Sequence, residues 1–137
     1  MTSKKQIFSF VVLLLVILVG MYFFQFQSKH NDSLQSALEI AARDKKIVFV
    51  KVGEPWCPPC VKMDELLKSS PKLQDLLKKF VFVKTGIDNP EIKELQVTNI
   101  PFLIFYSPEG KEIKRHIGFL QEQDMIVFLE KILAEGK

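Results

Sequence analysis

The sequence predicts an α/β domain with a mixed four-stranded sheet flanked by helices, preceded by one N-terminal transmembrane helix. Three observations predict it. Residues 7–26, IFSFVVLLLVILVGMYFFQF, run for 20 positions without a charge. Runs of β-branched and aromatic residues then alternate with amphipathic stretches in the order α, β, α, β, α, β, β, α. The last two strand-like runs, PFLIFYS and EIKRHIG, are joined only by the turn sequence PEGK and so read as a hairpin. Strands linked through helices are expected to pair in parallel, and the hairpin adds an antiparallel edge.

As a helix, the uncharged run covers roughly 30 Å, the thickness of a bilayer's hydrocarbon core. It ends in Tyr22, Phe23, Phe24 and Phe26, aromatics suited to a membrane interface, with no small-residue cleavage pattern after them. An uncleaved anchor over residues 7–26 is expected. Lys4 and Lys5 precede the run unopposed, whereas Lys29 and Asp32 behind it nearly cancel. The positive-inside rule therefore places residues 1–6 in the cytoplasm and the rest outside. The expected location is the cell (inner) membrane, single-pass, with the folded domain periplasmic or otherwise extracytoplasmic.

Residues 27–32 form a polar tether, and 33–137 the folded domain. DSLQSALEIAARDKK puts Leu34, Ala37, Leu38, Ala41 and Ala42 on one helical stripe, with Asp32 as expected N-cap and Gln35 completing a capping box. KIVFVKV is apolar on both faces except at Lys51, as a central strand of a covered sheet would be. From Val61 the pattern turns helical through Met63, Leu66 and Leu67. It breaks at Ser70 and Pro71, an N-cap with a first-turn proline, and resumes through Leu73, Leu76 and Leu77. FVFVKTGI is a second buried strand, and Asn89 with Pro90 opens a short helix. After the hairpin, QEQDMIVFLEKIL closes the domain with Met125, Phe128, Leu129 and Ile132 on one face.

Beyond residue 26 there are 17 basic and 16 acidic residues, a balance that gives no electrostatic reason for a nucleic-acid partner. No cofactor is expected. The chemistry concentrates in GEPWCPPC, which holds both cysteines, Cys57 and Cys60. Zinc needs four ligands, and only His30 and His116 could join them, one in the tether and one in an edge strand. A purely structural disulfide would close a very short loop, where the entropic gain is smallest.

A redox pair explains more. Between a buried strand and a helix, Cys57 falls at the helix N-terminus, where free amides and the dipole stabilise a thiolate nucleophile. Cys60 follows one turn later, placed to resolve a mixed disulfide. Pro58 and Pro59 stiffen the loop but remove two amide donors, which weakens that stabilisation and favours a reducing role.

WCPPC after a strand, NIPF some 40 residues later and Gly118 before the last helix resemble the thioredoxin superfamily. The outline is most similar to membrane-linked extracytoplasmic members such as the C-terminal domain of DsbD and the tethered reductases of cytochrome c maturation. The resemblance implies a thioredoxin-like fold and a redox-active Cys57–Cys60 disulfide, with Cys57 attacking and Cys60 resolving. It implies that Trp56 shields the site and that Pro101 is a cis-proline presenting the Ile100 backbone to an extended substrate. Core packing is the competing role for Trp56.

The pattern departs from the family at Lys51, where thioredoxins carry a buried acid. Lys84 aligns with a second buried lysine that usually pairs with that acid, and Glu54, the nearest carboxylate in sequence, is expected to pair with one of the two or to shuttle protons. Otherwise Glu54 is a solvated loop residue and Lys51 snorkels outward.

The expected function is a membrane-anchored reductase of extracytoplasmic cysteine-containing proteins, apocytochrome c among the candidates, fed by a transmembrane thiol donor of the DsbD or CcdA type. The alternatives are a thiol oxidase or isomerase with the same motif, and a non-catalytic thioredoxin-fold binding or assembly module.

Overall fold

The computed structural model describes residues 4–27 and 33–136. They fall into two units, residues 4–27 and residues 33–136. In the first, helix α1 spans Lys4–Gln27. It has no amphipathic stripe, and its apolar side chains from Phe8 to Met21 stand exposed. Among the described residues no helix is long and apolar enough to cross a membrane. The anchor expected over residues 7–26 accordingly rests on the sequence.

In the second unit, α2 (Leu34–Asp44) precedes β1 (Ile47–Val52), α3 (Pro58–Ser69), α4 (Pro71–Leu77) and β2 (Phe80–Thr85). The one-turn helix α5 (Pro90–Lys93), the hairpin β3 (Phe102–Tyr106) and β4 (Glu112–Ile117), and α6 (Glu122–Glu135) complete it. The sheet order is β2-β1-β3-β4.

Residues 28–32 of the expected tether lie outside the described residues, Asp32 among them. The cap of α2 is Ser33, whose Oγ accepts from the Ser36 amide at 3.1 Å. The Glu91 carboxylate, far along the chain, accepts from the Leu34 and Gln35 amides at 2.8 and 3.3 Å. An anion there complements the helix dipole, and Gln35 turns instead to Glu39. Of the expected stripe, Ala42 is exposed, and Ile40 packs in its place.

Parallel pairing holds for β1 with β2 but not for β3, which crosses to the other side of β1 and runs antiparallel to it. The reason is where β3 starts. Phe102 pairs with Val52, the last residue of β1, so the link from β2 stays at one end of the sheet and needs only the single turn of α5. A parallel return would have to span the sheet. This places residues 100–102 beside the end of β1.

All six residues of β1 are buried. Alternation sends Ile47 and Phe49 toward α3, α4 and α6, where Met63, Leu67, Leu73, Leu76, Met125 and Leu129 pack on them. Val48, Val50 and Val52 face Ala37 and Ala41 of α2 and Ile92 of α5. Phe49 stacks on Phe105 with centroids 4.6 Å apart. The break between α3 and α4 is complete: Ser70 ends the first helix and caps the second, accepting from the Leu73 amide at 3.3 Å ahead of Pro71.

Candidate active site

The site is built where β1 ends and α3 begins. After Val52, the Gly53 amide donates to the Thr85 carbonyl at 3.0 Å, and the Cys57 amide closes a turn onto the Glu54 carbonyl at 3.1 Å. Cys57 is the N-cap of α3, in extended backbone, and its carbonyl accepts from the Cys60 and Val61 amides at 3.0 and 3.1 Å. Pro58 and Pro59 fill the first two helical positions, where missing N–H groups cost the helix nothing. The prolines leave the first turn short of donors, as the sequence predicts. One turn into the helix, Cys60 faces inward, 1% exposed, and its sulfur is bonded to that of Cys57, which is 5% exposed.

The start of β3 lies opposite. The Ile100–Pro101 bond is cis, and the Ile100 carbonyl oxygen is 4.0 Å from Cys57 Sγ. Gly118, at φ +101°, donates its amide to the Pro101 carbonyl at 2.8 Å. That backbone conformation is one few residues other than glycine adopt. Trp56 is 70% exposed, which removes core packing as its role and leaves a large aromatic face in solvent next to Cys57.

The lysines are resolved differently from expectation. Lys51 does not snorkel; its side chain is wholly buried. By strand alternation it shares the face of Ile47 and Phe49, toward α3. Lys84 is its register partner on β2 but is half exposed. Both reach one carboxylate, and it is not that of Glu54. Asp64 Oδ1 lies 2.7 Å from Lys51 Nζ, and Oδ2 lies 2.6 Å from Lys84 Nζ. The Lys51 contact is a short ion pair between a buried ammonium and a partly exposed carboxylate.

Glu54 turns away to accept from the Ile87 amide at 2.7 Å, lying over Gly86. It is a loop clamp. Neither its expected pairing with a lysine nor the alternative of a merely solvated carboxylate holds.

Burial pulls the Lys51 pKa below the usual lysine range, opposed by Asp64. For Asp64, burial pushes upward, but the two ammonium groups outweigh it and hold the carboxyl below its ordinary value. Asp64 is the residue that sequence reasoning missed. The signal was present: Asp64 stands four residues after Cys60 and three before Leu67, on the inward stripe of α3, where a lone acid among buried apolar residues needs a partner.

A sheet of this order, with a Cys-x-x-Cys pair at the start of the helix after its central strand, defines a thiol–disulfide oxidoreductase. The thioredoxin-like domain model matches residues 34–133, and the chain belongs to that family. It is similar to the thiol:disulfide interchange protein DsbD of Pectobacterium atrosepticum, 27% identical over 106 residues, covering 72% of this chain and 18% of that protein. It thus spans under a fifth of that relative. It is also similar to Thioredoxin H3 of Arabidopsis thaliana, 33% identical over 99 residues, which are 69% of this chain and 77% of that one. Among solved structures, a thioredoxin from Thermus thermophilus superposes with a TM-score of 0.67 at 26% identity, covering 75% of this chain and 85% of that one. A disulphide isomerase from Xylella fastidiosa Temecula1 superposes with a TM-score of 0.65, covering 77% and 94%. At 22% identity this second match speaks for the fold alone.

Proposed function

We propose that this oxidoreductase is a membrane-anchored reductase of extracytoplasmic protein disulfides, tethered by residues 7–26. One observation carries the direction of electron flow: Cys57 caps a helix whose first two positions are Pro58 and Pro59. Its thiolate therefore gains less amide stabilisation than at an ordinary helix start, and a less stabilised thiolate makes a weaker oxidant.

In this reading an extended substrate segment lies along the Ile100 backbone beside cis-Pro101. The Cys57 thiolate attacks one substrate sulfur, releasing the other as a thiolate. Cys60 then attacks Cys57, freeing the reduced substrate and leaving the Cys57–Cys60 disulfide. Outside the cytoplasm that disulfide needs fresh electrons, which a transmembrane thiol donor of the DsbD or CcdA type would supply. Cysteine-containing proteins are the substrate class, with apocytochrome c one member.

The buried ammonium of Lys51 favours a second reading, a thiol oxidase or isomerase, because positive charge near the pair stabilises the reduced, thiolate form. The redox potential of the full chain in detergent separates the two. A value near about −270 mV supports the reductase, and one near about −120 mV overturns it. Alkaline carbonate extraction of cell membranes tests the tether: the protein is expected to stay with the membrane, and release into the wash would remove the anchor.

A further inference from the structure

Gly53 leaves a gap with unusual walls. A Cβ placed on it would meet Cys60 Sγ and Lys51 Nζ, each at 3.1 Å. The sulfur and the ammonium thus both border the place of one missing methyl group and are no more than about 6 Å apart, within the range over which a charge shifts a neighbour's ionisation. The glycine brings the resolving cysteine and a wholly buried cation together.

The charged groups facing Lys51 are few. Asp64 and Lys68 come from α3, Lys84 from β2, and the residue across from it on β3 is the apolar Leu103. Two ammonium groups share the single Asp64 carboxylate, one on each oxygen. With both lysines protonated, the Lys51–Asp64–Lys84 group keeps one uncompensated positive charge, and its buried member borders Cys60. Asp64 also lines a cleft of about 370 Å³ beside Lys68 and Lys84. Through that cleft the cluster meets solvent.

We propose that Lys51, fixed by Asp64, is a positioning residue that stabilises the thiolate of Cys60 for the resolving step, in a site whose buried charge has the opposite sign to an acid-based one. The inference rests on the dithiol reading above. In the mixed disulfide, Cys60 gives its proton to solvent, and its thiolate attacks Cys57 Sγ. The bond from Cys57 to the substrate sulfur breaks, and the leaving substrate thiolate takes up a proton. Two electrons have then passed from the protein dithiol to the substrate disulfide. Lys51 stays protonated throughout. Its charge offsets the burial of Cys60, which alone would hold the thiol protonated.

The test uses the full chain with Cys57→Ser, which leaves Cys60 as the one thiol, titrated by thiolate absorbance. Adding Lys51→Met is expected to raise the Cys60 midpoint by about one unit or more, a tenfold loss of thiolate at a fixed pH below it. Lys51→Gln, also neutral, should move it the same way and serves if the Met variant does not fold. An unchanged or lowered midpoint in a folded neutral variant overturns the proposal. The titration needs no turnover. Failure of the dithiol reading would show separately, as absence of disulfide exchange by the unsubstituted chain.

Discussion

Lys51 Nζ lies 2.7 Å from Asp64 Oδ1, a strand lysine with no exposed surface paired to a helix carboxylate. A buried pair is costly to break from one side, because the remaining charge loses both water and partner. Asp64→Asn strands the wholly buried Lys51 and is therefore expected to lower stability by about 3 kcal/mol, whereas Lys51→Met leaves Asp64 paired with Lys84 and should cost less. Urea unfolding of the two variants checks this. Equal losses would mean that Lys84 does not keep Asp64 paired once Lys51 is gone.

The same pair sets an acid limit. The folded pKa of Asp64 lies below its unfolded value of about 3.9. Its contribution to stability is complete above that unfolded value and is lost as pH falls through the lower, folded one. Thermal unfolding between pH 6 and 2 should show this loss in the native chain, and Asp64→Asn should flatten it.

Gly53→Ala puts a methyl group against Cys60 and Lys51 at once, each at 3.1 Å. Overpacking a closed site costs about 1–3 kcal/mol. The exchange rate with a small disulfide is expected to fall together with stability. Because Gly53 precedes the motif by several residues, a variant with both quantities unchanged would show that the gap is not tightly walled.

Glu54→Gln keeps an acceptor for the Ile87 amide but removes its charge, so a loss of about 1 kcal/mol is expected. The pH profile of disulfide exchange should not change, since Glu54 pairs with neither lysine. A shifted profile would restore Glu54 as a proton shuttle.

Much of this was legible in the residues. Apolar runs such as FVFV and LIFY mark buried strands, and the proline after Ser70 marks the helix break, because these signals are local. The partner of Lys51 was not legible by nearness in sequence. Glu54 is three residues away and Asp64 thirteen, yet helix periodicity turns Asp64 inward while the turn at residues 54–57 carries Glu54 toward Ile87. The side of β1 on which β3 would pair was likewise hidden, since it depends on where the strand starts. The cap of α2 by Glu91 is a contact between distant segments that no local pattern encodes.

The central claim is that Cys57 attacks and Cys60 resolves. Replacing Cys60 with Ala in the full chain, expressed in cells and quenched with acid before alkylation, tests it most directly. Reductant-sensitive adducts with other proteins should accumulate through Cys57, disappear in the Cys57→Ala, Cys60→Ala double variant, and be scarce in the unsubstituted chain. Absence of any such adduct in the folded Cys60→Ala protein would contradict the claim and leave the pair a structural disulfide.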